Sequence, residues 1–178
     1  ENVHEARIKS EIPDAILIGG GRIAFDFIKL FTQDDRKFVV VDHDPEIVKS
    51  LAEAGIPNEY GDANDPDLLD DLKINNADIV VSTIPDLETN LVVLSCAKRG
   101  GKGPAVIVVA HDVADALELY AADADYVILP HFLGGSYAAR LVRRFTKEAL
   151  DIQDIRDDHI KHLYSRIAAG QEHPARLE

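Results

Sequence analysis

Residues 18–24 read IGGGRIA, at the end of a short apolar run and the start of a helical pattern. Gly19, Gly21 and Ala24 fit the arrangement G-x-G-x-x-A. Its first small residue permits a tight strand-to-helix turn, its second lets a pyrophosphate approach the backbone, and its third allows the helix to pack closely on its strand. A helix starting there offers amide N–H groups and a positive dipole end to an anion. Arg22, in its first turn, could add a charged hydrogen bond to phosphate. The run FVVVDHDP ends a second strand at Asp42, 23 residues after Gly19, where a carboxylate can accept hydrogen bonds from an adenosine ribose. An acid at that point favours a free 2′-OH over a 2′-phosphate and so disfavours NADP. The chemistry such residues could do is recognition of an adenine nucleotide; the alternatives are a purely structural glycine turn and an Asp42 that merely starts the turn before Pro45.

Two further stretches, GDAND and STIPDLETN, fall at the carboxyl ends of strands, the rim where open doubly wound sheets bind ligands. There Asp62 could meet an adenine edge, and Ser82 and Thr83 could line the ribose or phosphates. Asp62 and the acids after it do not form a calcium loop, because the sixth position lacks Gly and the twelfth is Lys73. Catalytic signatures are missing. No tyrosine has Lys four residues on, and there is neither a G-x-S-x-G elbow nor a CxxC pair. His43, His111 and His131 lie near strand ends but have no evident partner that would make them bases. His159 and His162 stand three apart on a helix, without the further ligands zinc requires. The expectation is no catalytic and no metal-binding residue.

These residues need elements to hold them at one edge. Short β-branched runs alternate with helix-length segments, the pattern of βαβ units: Ala15 to Ile18, Phe38 to Asp42, a weak one at Asn58 to Tyr60, Ile79 to Thr83, Ala105 to Ala110 and Tyr126 to Leu129. Most are apolar throughout, as parallel strands covered on both faces must be. The expected fold is α/β, a doubly wound, Rossmann-like parallel sheet of six strands with a C-terminal helical arm. Ile23, Phe27, Leu30 and Phe31 form one stripe toward the sheet, and Leu68, Leu69 and Leu72 another. Asp or Pro opens several helices, where capping alone explains them. Residues 1–130 read as the nucleotide-binding domain and 131–178 as a crossover helix (131–150) and arm. Over 151–169 Ile152, Ile155, His159, Ile160, Leu163 and Ile167 share one side, and the polar end reads as frayed.

Composition bounds the rest. The 178 residues, 46% hydrophobic and 29% charged, suit a globular domain. A net charge of −13 argues against a nucleic-acid partner. Cys96, the only cysteine, reads as an inert packed thiol in a reducing compartment. No stretch approaches the roughly 18 consecutive apolar residues of a membrane span. With no Met anywhere, the chain reads as a piece of something longer.

The motifs together resemble the RCK or TrkA-N-type domains that regulate potassium channels and cation transporters. The likeness runs over about residues 13–145, through AILIGGGRIAFDFIKLF, FVVVDHDPEIV, YGDANDPDLLDDLKINNADIVVSTIPDLETN and ADYVILPHFLGG. It is somewhat closer to domains attached to cation:proton antiporters. The resemblance implies a cytoplasmic ligand-sensing module, the soluble part of a membrane transporter or peripheral to one, that assembles as a homodimer or higher ring. It implies NAD(H), ATP, ADP or AMP as ligand. Its binding roles fall on Gly19, Gly21 and Arg22 (phosphates), Asp42 (ribose), Asp62 and Ala63 (adenine side), Ser82 and Thr83 (near the ligand) and Asn90 of the TN pair. Gly20, Ile23, His43, Gly61 and Ile84 complete the set as their neighbours. The chain stops before the C-terminal lobe many relatives carry. Two alternatives stand beside this one: an NAD-dependent oxidoreductase, and an assembly scaffold with an empty cleft whose contact faces would be helices 87–98 and 112–122.

Overall fold

The structure, a computed structural model, describes residues 12–147 and 152–170. The elements follow one another as β1 (Ala15–Ile18), α1 (Ala24–Gln33), β2 (Phe38–Asp42), α2 (Pro45–Glu53), β3 (Asn58–Tyr60), α3 (Pro66–Asp71), a 3₁₀ turn (Ile74–Asn76), β4 (Ile79–Ser82), α4 (Leu87–Ala97), β5 (Ala105–Val109), α5 (Val113–Ala121), β6 (Tyr126–Ile128), α6 (Pro130–Lys147) and α7 (Ile152–Ala168). The chain divides into two compact units between Leu129 and Pro130.

In the first unit the six strands form one parallel sheet in the order β3-β2-β1-β4-β5-β6. The order reverses between β1 and β4, and a crevice opens where helices leave such a reversal in opposite directions. Burial on both faces explains the unbroken apolar runs. Ile16, Ile18, Val41, Val80, Val106 and Val108 share one core with Leu69, Val93, Leu94 and Leu119 of the helices. Ala15, Leu17, Val40 and Val81 share the other with Ala24, Phe31 and Leu51. The doubly wound sheet read from the sequence is therefore the observed one.

Particular expectations need correction. β4, β5 and β6 each end one residue earlier than read. Leu30 is exposed; the stripe on α1 is Ala24, Phe27, Ile28 and Phe31, because spacings of three and four bring those side chains onto one face. The apolar stretch LVVLSCA is not a spare sticky face. Val93, Leu94, Cys96 and Ala97 are buried, and Leu91 and Val92 pack against the same core, since α4 is flanked by α3 and α5 as well as the sheet. Burial pushes the Cys96 thiol up from its ordinary pKa, as expected of an inert thiol.

The second unit holds α6 and α7, which border a groove of about 800 Å³ lined by Tyr137, Leu141, Phe145, Ile155, His159 and His162 among others. Of the stripe read over 151–169, His159, Leu163 and Ile167 are exposed, and Ile155 and Ile160 are half-buried. Residues 148–151, the side chain of Ile152 and residues 171–178, read as a frayed end, lie outside the described residues. Among the described residues no helix is long and apolar enough to cross a membrane.

One clasp fastens the far end of the first unit. Lys98 Nζ, just after α4, donates to Pro104 O at 2.8 Å and to Asp125 Oδ2 at 2.7 Å, and the same oxygen accepts the Val106 N–H at 2.7 Å. The hydrogen bond from Lys98 and then that from Val106 hold the Asp125 carboxyl below the usual carboxylate range. A carboxyl whose pKa is lower folded than unfolded stabilises above its ordinary range, and that contribution is lost as pH falls from there through the lowered folded pKa. Asp125→Asn should therefore lower the midpoint of denaturant unfolding at pH 7, with the gap from wild type closing as the pH is taken below 4.

Candidate functional site

The glycine turn is shaped by three different demands. Gly19 has φ +86°, in the left-handed region, and donates its N–H to Val41 O at 2.8 Å. A Cβ there would lie 2.5 Å from Thr83 Oγ1 and 3.1 Å from Ile84 Cγ1. At Gly20 a Cβ would come within 2.7 Å of Ile47 Cγ2 and 3.1 Å of Leu51 Cδ1, so α2 presses on the turn from the other side. A Cβ on Gly21 would meet nothing within 4 Å. Gly19 and Gly20 thus satisfy the protein's own packing, and Gly21 is where a ligand has room to approach the backbone. Its consequence for Gly20 was not legible in the sequence, because the crowding comes from α2.

Asp42 closes the corner. Its Oδ2 accepts the Gly20 N–H at 2.7 Å, its Oδ1 accepts the Asp44 N–H at 2.8 Å, and the residue is 7% exposed. Each carboxylate oxygen keeps a second lone-pair direction, enough for ribose hydroxyls. His43 points to solvent, its Nδ1 3.9 Å from Asp42 Oδ1. Arg22 is exposed and Ile23 half-buried at the start of α1. Ile23 makes no side-chain cap, whereas Asp44, Asp65, Asp86 and Asp112 each cap the helix that follows.

From the β3 end, the Gly61 N–H donates to Asp42 O at 3.0 Å. A Cβ on Gly61 would collide with Leu68 of α3. Asp62 is exposed, its Oδ1 accepting the Asn64 N–H at 2.9 Å, and Ala63 is buried behind it. At the β4 end the Thr83 hydroxyl lies 3.2 Å from Ile18 O and 3.1 Å from Gly19 O, donating back onto the glycine turn. Gly19, Gly20, Asp42, Gly61 and Thr83 are thereby linked by direct hydrogen bonds or close packing across the ends of four strands.

Two residues expected at the ligand are placed otherwise. Ser82 is fully buried, in register between Ile18 and Val108, with Oγ unpartnered. Asn90 is also fully buried, its amide donating to Ile84 O and Val109 O, each at 2.9 Å. Ser82 is the covered last residue of β4 and Asn90 lies in the first turn of α4 behind the strand ends, so neither side chain is exposed to a ligand at the rim. Beside them sequence reasoning passed over Thr89, whose hydroxyl and N–H hold the Asp86 carboxyl below its usual range, and its partner Asn64.

His111 and His131 are exposed. Among the described residues no group of three or more His, Cys, Asp or Glu could hold a metal. His162 Nε2 accepts from Arg166 Nε at 3.1 Å.

Comparison with known proteins adds the family. Residues 15–130 match the family model of the TrkA-N domain. The chain is 31% identical over 142 residues to the glutathione-regulated potassium-efflux system protein KefC of Escherichia coli O139:H28, covering 79% of this chain and 23% of KefC. It therefore spans about a quarter of the length of the curated relatives it matches. Among solved structures it is similar to the Shewanella denitrificans Kef CTD in its AMP-bound form, with TM-score 0.59, 19% identity, and coverage of 89% of this chain and 95% of that one. It is also similar to the GsuK channel bound to NAD, with TM-score 0.60, 19% identity, and coverage of 67% and 22%. At these identities the structural likeness concerns the fold.

The crowding around the glycines predicts opposite outcomes for two variants. Gly19→Ala should destabilise the chain by about 1–3 kcal/mol, from positive φ and contact with Thr83. Gly21→Ala should stay within about 0.5 kcal/mol of wild type. Urea unfolding of both checks the contrast.

Proposed function

We propose that this chain, which belongs to the TrkA-N domain family, is a nucleotide-sensing regulatory domain. It binds an adenine nucleotide, NAD(H) or one of AMP, ADP and ATP, at the carboxyl ends of β1, β2 and β4. Its occupancy then controls monovalent-cation transport, of K⁺ or by cation:proton exchange, by a membrane protein of the same chain or a separate subunit. The observation that carries this reading is the corner where Asp42 bonds Gly20 while Gly21 lies open beside it. That corner pairs a ribose acceptor with a backbone that phosphates can approach. The relatives point the same way, one being a potassium-efflux protein and two of similar fold holding AMP and NAD. The proposal includes a position at the cytoplasmic face of the membrane, as the soluble part of that transporter or peripheral to it.

The ligand acts by differential affinity for two arrangements of a homodimer or higher ring. For assembly, α5 leaves Val113, Leu117 and Tyr120 exposed along one stripe. The proposed role is binding and signalling rather than catalysis, in line with a family match to the TrkA-N domain and a relative that is a potassium-efflux system protein.

Thermal unfolding with NAD, NADH, AMP, ADP, ATP and NADPH tests the proposal. A cognate nucleotide at 100 times its Kd should add about 2.7 kcal/mol, and NADPH should add little, because its 2′-phosphate faces Asp42. Asp42→Ala should abolish the gain. No stabilisation by any nucleotide would overturn the proposal in favour of an assembly scaffold.

A further inference from the structure

The proposed cleft is built from loops of separate chain segments, and something must hold them at fixed spacing. The sheet registers only the strands. We infer that Thr89 and Asn90, in the first turn of α4, are positioning residues of the cleft, fastening the β3–α3, β4–α4 and β5–α5 corners to one another; this rests on the proposed function.

Asn90 is fully buried and spends both amide hydrogens on backbone carbonyls of two corners: Ile84 O, two residues beyond β4, and Val109 O, the last residue of β5. Two carbonyls close together need two donors from one compact group. A primary amide supplies them, whereas aspartate would turn a negative oxygen toward each carbonyl and leucine would leave both unpaired. What Asn90 fixes reaches the glycine turn, because the Ile84 side chain lies 3.1 Å from where a Gly19 Cβ would stand.

Thr89 ties in the third corner. Its hydroxyl donates to Asp86 Oδ1 at 2.6 Å and accepts from Asn64 Nδ2 at 3.1 Å. Asn64 directly follows Asp62 and Ala63, and its own N–H is held by Asp62 Oδ1 at 2.9 Å. Thr89 is 4% exposed and Asn90 0%, so both act through the loops they hold. A chain of hydrogen bonds thus runs from Asp62 through Asn64 and Thr89 to Asp86, and the adjacent Asn90 extends it to Ile84 and Val109.

The test is calorimetric titration of the full chain with AMP, below the unfolding range of every variant, so that a change in stability alone leaves Kd unmoved. Asn64 is exposed, and Asn64→Ala removes only its side-chain bond; Thr89→Val keeps the shape of Thr89 and loses its hydroxyl. Each should raise Kd about three- to tenfold, one net hydrogen bond's worth. The double variant should be no worse than the weaker-binding single, and Thr89→Ser should restore binding. Asn90→Ala should cost at least as much as Thr89→Val. Unchanged Kd in both single variants, or a double variant whose losses multiply, would overturn the inference while the nucleotide reading stood. Wild-type chain that bound no adenine nucleotide would remove that reading and this inference together.

Discussion

The 2.7 Å hydrogen bond from the Gly20 N–H to Asp42 Oδ2 joins the β1–α1 turn to the end of β2, and much of the first unit is arranged around it. A carboxylate nine-tenths buried is tolerable only if its oxygens are satisfied, and here the N–H groups of Gly20 and Asp44 do so. The bond needs the turn to lie close over α2, which leaves no room for a side chain on Gly20 between Ile47 and Leu51. On the other side the positive φ of Gly19 turns the chain past Thr83. A binding residue, two glycines and a helix contact are therefore parts of one constraint.

Four of the acidic residues at the sheet rim have a local use. Asp44, Asp65, Asp86 and Asp112 each accept a backbone N–H in the first turn of the helix that follows, where a carboxylate also meets the positive end of the helix dipole. The same device recurs after β2, β3, β4 and β5, so the carboxyl rim of the sheet is lined with carboxylates that serve folding. After β1 an Ile takes that place. That junction coincides with the glycine turn, where an acid would repel the phosphates that the proposed function brings there.

Opposite the rim, the Lys98–Asp125 clasp and the packing of α4 between α3 and α5 fix the crossovers that the sheet alone does not restrain. A helix covered on three sides reads as uniformly apolar. That is why LVVLSCA looks in the sequence like a surface waiting for a partner and proves to be interior.

What the sequence determined by itself was periodic or fixed by local stereochemistry. Apolar runs gave five strands within a residue of their ends and the weak NEY segment a sixth, and alternation with helices gave the parallel, doubly wound sheet. Gly19, Gly21 and Asp42 were legible because the turn and the strand end require those residue types locally. Tertiary structure alone decided which neighbours close in from distant segments. Ile47 and Leu51 exclude a side chain at Gly20, Leu68 excludes one at Gly61, and Ser82 is sealed between Ile18 and Val108. Asn64 meets Thr89 across 25 positions, and Asn90 meets Val109 across 19. No local pattern encodes such pairings, since they depend on where crossovers return the chain, and a hydrogen bond exists only when both partners arrive within reach.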